Sequence, residues 1–129
     1  MSDIKLVYFN LRGRAEAARF TLAQAGVDYE DVRVTREEWV KLKPGKESIY
    51  HNKFPLSSTN NFLEYTFGQL PGLEYKGEKI GQSMAITRFL GREFGLAGKD
   101  NWTQAKVDEV IDSVSDLINS KYREVLWHK

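Results

Sequence analysis

Cysteine is missing from all 129 residues. That absence removes disulfides, thiolate metal sites, a cysteine nucleophile and any Cys-x-x-Cys redox pair. Histidine is almost as scarce, with His51 in a polar stretch and His128 beside the C-terminus, so a histidine triad or histidine metal cluster has too few members. No apolar run approaches the ~20 residues of a membrane span, and Met1-Ser2-Asp3-Ile4-Lys5 lacks the charged and apolar regions of a signal peptide. Charge of one sign is lacking too. With 19 basic against 18 acidic residues the net charge is +1 and no basic block stands out, which leaves nucleic acid and anionic membranes without electrostatic support as partners. The expectation is a cytoplasmic chain whose nucleophile, if it is an enzyme, comes from elsewhere.

What is present is enough for one compact core, with 41% of the residues hydrophobic. Ile4-Lys5-Leu6-Val7-Tyr8 alternates and is rich in strand formers. From Arg12 to Ala25 the residues Ala15, Ala18, Leu22 and Ala25 share one helical face, and Gly26 ends the helix. Val27 to Val34 alternates again, so strand, helix and strand form a βαβ unit with parallel strands. Thr35 is placed to cap a short helix over 36–43. Residues 44–66 lose all period, and a structureless stretch that long is improbable in a small ordered domain. Pro71 to Tyr75 and Glu78 to Ile80, joined around Lys76-Gly77, read as a hairpin. A helix with Ile86, Phe89, Leu90 and Phe94 on one face follows from Ser83 to Phe94. After the linker Gly95 to Asp100, the residues Val107, Val110, Ile111, Val114, Leu117, Ile118 and Val125 predict one sustained helix from Trp102 onward, with an apolar stripe that needs cover.

The chain is organised around Phe67 to Tyr75 and the nearby pair Gln82-Ser83. Pro71 has no N–H to donate, so it opens an edge strand rather than sitting mid-sheet. A cis Leu70-Pro71 bond would turn the main chain of Leu70 toward a passing extended peptide. Ser83 begins a helix, whose first N–H groups and dipole attract an anion. A plain proline turn and an N-cap serine account for the same residues.

Five separated motifs narrow the reading: Tyr8-Phe9-Asn10, Arg12-Gly13-Arg14-Ala15-Glu16, Phe67-Gly68-Gln69-Leu70-Pro71, Gln82-Ser83-Met84-Ala85-Ile86 and Gly95-Leu96-Ala97-Gly98. In this order and spacing they resemble the amino-terminal half of sigma-class glutathione S-transferases, the group that includes prostaglandin D synthases and cephalopod lens crystallins. The resemblance covers residues 3 to about 43 and 67 to about 118. It implies an α/β fold, a thioredoxin-like βαβ-ββα domain over 1–95 with an insertion at about 44–66, followed over 96–129 by a linker and the first helix of an incomplete all-α domain.

By the same resemblance Tyr8 donates its phenol hydrogen bond to the sulfur of bound glutathione, with Arg14 adding positive potential. Gln69 and the main chain of Leu70 before Pro71 hold the cysteinyl portion, Gln82 and Ser83 receive the γ-glutamyl carboxylate, and Trp39 with Lys43 steadies the glycyl end. Asp116 reaches the glutamyl ammonium across a dimer. No metal is expected, because Ser115 stands where one carboxylate of a family metal cluster would be. Glutathione is the implied co-substrate, a small electrophile the second, and a homodimer the expected assembly. Asp108, Asp112 and Asp116 repeat at helical spacing, and like charges there cost stability unless a cation or partner neutralises them. The implied activity is conjugation of the thiolate or glutathione-assisted isomerisation. A non-catalytic, crystallin-like or truncated relative that binds glutathione or dimerises is the alternative. Residues 44–66 have no counterpart in the family pattern, and either an insertion or a splice product explains them.

Overall fold

The computed structural model describes residues 2–42 and 68–120. The expectations for Lys43, for 44–66 and for Val125 lie outside them. Strands β1 (Ile4–Phe9), β2 (Glu30–Val34), β3 (Gly72–Tyr75) and β4 (Glu78–Gly81) form one sheet in the order β2-β1-β3-β4. β1 runs parallel to β2 and antiparallel to β3, which pairs antiparallel with β4. A 3-10 turn over Gly13–Ala15 leads into α1 (Glu16–Ala25), and three helices come after it: α2 (Arg36–Leu42), α3 (Ser83–Glu93) and α4 (Asn101–Asn119).

The two-residue period of β1 sorts its side chains between two layers. Ile4, Leu6 and Tyr8 join Ala15, Ala18 and Leu22 of the first helical region, Leu73 of β3 and Ile86 and Leu90 of α3 in one core, while Val7 meets Val34 and Trp39 on the other face. This is the thioredoxin-like arrangement, with α1 and α3 on one side and α2 on the other.

Local chemistry sets the boundaries. Gly26 at φ 67° ends α1, with its N–H on Ala23 O at 3.1 Å and that of Val27 on Leu22 O at 3.4 Å. This paired C-cap keeps Val27 out of the ladder, so β2 begins at Glu30 rather than at Val27. Lys76 and Gly77, at φ 50° and 86°, make the two-residue hairpin turn that matches strand twist. Thr35 and Glu38 cap α2 reciprocally, Glu38 N donating to Thr35 Oγ1 at 3.1 Å and Thr35 N to the Glu38 carboxylate at 2.7 Å. Thr35→Ala is expected to cost about 1 kcal/mol, seen as a lower urea midpoint with an unchanged slope.

Two expectations need correction. β3 is an interior strand, not an edge, since β1 and β4 flank it. Pro71 is tolerated because it lies one residue ahead of Gly72, the first residue in the ladder, so its missing N–H breaks no sheet bond. The last helix also stops sooner than its apolar stripe suggests. Ser120 is extended, and both its N–H and its hydroxyl turn back to Leu117 O, at 3.4 and 2.8 Å. At its other end Asp100 caps α4 by accepting from Thr103 N at 2.8 Å, a bond that holds its carboxyl below the usual range.

Candidate functional site

The Leu70–Pro71 bond is cis. Leu70 and Pro71 border a groove of about 540 Å³ whose other walls are Phe9, Arg14, Trp39, Gly68, Gln69, Gln82, Ser83 and Asn119. Five separate parts of the chain thus converge on one end of the sheet: the end of β1 with the turn after it, α2, the approach to β3, the start of α3 and the end of α4. Trp39 reaches the groove because α2 packs its ring against Phe9 edge-on, at 6.3 Å between centroids. Gln82, at φ 69° and ψ 115°, is the N-cap of α3 and makes no side-chain cap bond. The helix therefore begins at Ser83 with its leading N–H groups directed at this end of the sheet, as the geometry of any helix start requires.

Arg14 is the one charged side chain among the described residues lining the groove, so the cavity is electropositive and suits an anion. Its guanidinium donates to Asn119 Oδ1 at 2.7 Å, and its backbone N–H to the Tyr8 hydroxyl at 3.3 Å.

Tyr8 itself is 7% exposed and belongs to the core beneath the groove rather than to its wall. Its hydroxyl lies against the 3-10 turn. Gly13, at φ 43°, allows that approach, since a Cβ there would stand 2.7 Å from the phenol oxygen. A phenol that accepts from a main-chain N–H keeps its own hydrogen to donate.

The structure brings Arg14, Trp39, Gln69, Leu70, Pro71, Gln82 and Ser83 together, with Tyr8 directly below. It does not bring Asp116 there; that residue is exposed on α4. The acidic face of α4 is also less bare than its sequence suggests. Arg88 of α3 donates to Asp108 at 2.8 Å and pairs with Asp112, so a cation from within the chain neutralises two of the three carboxylates. Those contacts raise the Arg88 pKa, the Asp112 bond most of all.

Sequence reasoning missed one residue of the groove wall and one that supports the loop beside it. Asn119 contacts Arg14 from 105 positions away, a separation no local pattern reveals. Arg19, 6% exposed, lies under the loop that leads to Arg14. It bonds Leu11 O at 2.9 Å, Glu16 at 2.9 Å and Asp31 at 3.2 Å, with its guanidinium 6.0 Å from the Tyr8 ring centre. A signal for Arg19 existed: it lies four residues after Ala15 and three before Leu22, on the face read as core.

A second cavity of about 320 Å³ lies among α1, α3 and α4, lined by Phe20, Leu96, Val107 and Ile111 among others. Its walls are mainly apolar apart from groups such as the paired Arg88 and Asp108, and they hold none of the residues that the resemblance assigns to glutathione, so the first groove is the candidate site.

The chain is similar to known proteins along most of its length. A family model, Glutathione S-transferase, N-terminal domain, matches residues 4–92. Glutathione S-transferase 1 of Ascaris suum is 45% identical over 118 residues, covering 92% of this chain and 48% of that protein. The hematopoietic prostaglandin D synthase of Gallus gallus is 41% identical over 118 residues, covering 92% of this chain and 50% of that protein. Among solved structures, a Nu-class GST from Haemonchus contortus superposes with a TM-score of 0.69 at 46% identity, covering 90% of this chain and 48% of the other. The chain therefore spans about half the length of the relatives it matches. The matched domain, the relatives and the thioredoxin-like sheet agree, and the chain belongs to the glutathione S-transferase family.

Proposed function

We propose that the groove binds glutathione and that the chain serves glutathione-dependent transfer or isomerisation. The observation that carries this reading is the convergence of an exposed Gln69, the main chain of Leu70 before a cis proline, the Gln82-Ser83 helix start and Arg14 on one cavity above a buried phenol. Leu70 pairs with the cysteinyl main chain, and Gln69 supports it. Gln82 and Ser83 take the γ-glutamyl carboxylate, where helix N–H groups and dipole favour negative charge. Trp39, together with Lys43, holds the glycyl end. Tyr8 donates to the sulfur and favours the thiolate, so the tripeptide supplies the thiol that this cysteine-free chain lacks.

The sequence pattern favours the sigma class, and the prostaglandin D synthase among the relatives supports that, while the Nu-class structure supports a place nearer the nematode enzymes. The chain acts in the cytoplasm in this reading. A homodimer would place Asp116 of one copy near the glutamyl ammonium bound by the other. The 1–95 region is the binding domain, and residues 96–129 begin the helical one.

A second reading is a relative that binds glutathione, or dimerises, without turnover. The exposed apolar residues Val110, Val114 and Leu117 of α4 favour its dimerising form, because a face of this kind is buried when a second copy packs on it. Melting with and without millimolar glutathione, followed by a conjugation assay, separates the two. At a hundredfold excess over the dissociation constant, binding stabilises by about 2.7 kcal/mol. A melting temperature that ignores glutathione rejects both the site and its chemistry. A raised one without conjugation selects the second.

A further inference from the structure

We infer that Asn119 is a positioning residue that holds the Arg14 guanidinium over the groove and leaves its positive charge available to an anionic ligand. The inference rests on the proposed glutathione site and adds the device that orients its cation. Arg14 touches the site in two ways, through its backbone N–H on the Tyr8 hydroxyl at 3.3 Å and through a side chain that ends on Asn119 Oδ1 at 2.7 Å. Its main chain is fixed by the 3-10 turn. Its long, half-buried side chain has rotamer freedom that the turn does not remove.

Asn119 removes it from the opposite side. It is the last residue of α4, and its amide is itself oriented: Nδ2 donates to Ser115 Oγ at 3.3 Å, one helical turn back, so the carbonyl oxygen is the end that meets Arg14. The choice of an amide matters chemically. A carboxylate at this position would hold the guanidinium equally well but cancel its charge. A neutral acceptor aligns the cation and preserves the field that an anion feels in the groove. Asp116 stands one turn away on the same helix, yet the guanidinium bonds the amide. Asn119 also lines the groove, so it links α4 to the turn that contacts Tyr8.

The test uses the full chain and three variants. Asn119→Leu keeps the size and removes the acceptor, Asn119→Asp keeps the acceptor and neutralises the cation, and Arg14→Ala removes the partner. Without ligand, side-chain nitrogen NMR of Arg14 is expected to report an ordered guanidinium in the parent and in Asn119→Asp, and an averaged one in Asn119→Leu. By calorimetry, Asn119→Leu is expected to weaken glutathione about fivefold, the scale of one partly exposed charge-assisted hydrogen bond. Asn119→Asp weakens it at least as much, though the guanidinium stays ordered. In the Arg14→Ala background Asn119→Leu changes nothing, as residues acting through one contact must. An Arg14 signal indifferent to Asn119→Leu overturns the inference, and so does an affinity loss that persists without the Arg14 side chain. If the parent chain ignores glutathione while the Arg14 signal still follows Asn119, the positioning role stands and the glutathione site falls.

Discussion

Tyr8→Phe is expected to leave the chain folded and glutathione bound, and to raise the thiol pKa of the bound tripeptide by one to two units. A free thiol titrates near 8.5, so at neutral pH it is mostly protonated, and each unit of lowering takes about 1.4 kcal/mol of preference for the anion. A hydrogen bond to a charged acceptor contributes about 1.5–3 kcal/mol, which matches one to two units. The proposed role agrees with where the phenol sits. Its ring is locked in the core between β1 and α1, its oxygen already accepts from Arg14 N, and its one hydrogen remains to be donated. Phenylalanine keeps the ring and loses the hydrogen. The direct measurement is the ultraviolet absorbance of the thiolate against pH with ligand saturating. The parent titrates low, the variant near the free thiol, and conjugation at neutral pH falls about 10- to 100-fold, the same preference expressed as a rate. Stability drops by only about 1 kcal/mol, for the acceptor that Arg14 N loses. A variant that titrates with the parent would remove the phenol from the chemistry.

Much of this architecture is legible from residue order because its determinants are local. The alternation of Ile4 to Tyr8, the alanine face of α1 closed by Gly26 and the Lys76-Gly77 turn each work within a few positions, and each element stands where those signals put it. Boundaries slipped where a cap competes with a pattern. Val27 belongs to the helix stop rather than to β2, and Ser120 ends α4 although the hydrophobic period continues past it. The groove was legible in part for the same reason. Proline and the helix start announce themselves, whereas the sheet order that makes β3 interior depends on which strands meet. What stayed hidden was long-range polar pairing. Arg14 with Asn119, Arg88 with Asp108 and Asp112, and Arg19 with Asp31 join residues whose spacing carries no signal. Helix α1 even reverses the usual sorting, with Phe20 68% exposed and Arg19 6% exposed.

That reversal gives the largest expected loss of stability. Arg19→Met is expected to cost about 3 kcal/mol, the low end for breaking a buried ion pair, or roughly 10 °C of melting temperature for a domain of this size. Burial alone would lower the Arg19 pKa, but the Glu16 hydrogen bond and the nearby Asp31 charge more than offset it, and the guanidinium is held charged. Methionine fills the stem's volume and supplies no donor. Glu16 and Asp31 then face each other's charge without the cation between them, and Leu11 O loses its 2.9 Å partner. Water limits the damage, because both carboxylates are 26% exposed. The parent arginine is not ideally satisfied either, since its Nη2 is buried without a hydrogen bond. The loss has a functional side as well. Arg19 binds the carbonyls of Leu11 and Arg12, the residues just ahead of Gly13 and Arg14, so freeing them loosens the turn that meets the Tyr8 hydroxyl and carries the groove's cation. Glutathione affinity should therefore fall in Arg19→Met even at temperatures where the variant is fully folded. Arg12→Met, at an exposed neighbour whose side chain makes none of these contacts, is the control and should stay within about 0.5 kcal/mol of the parent. Equal melting temperatures for the two variants would mean that the buried network does not hold the loop.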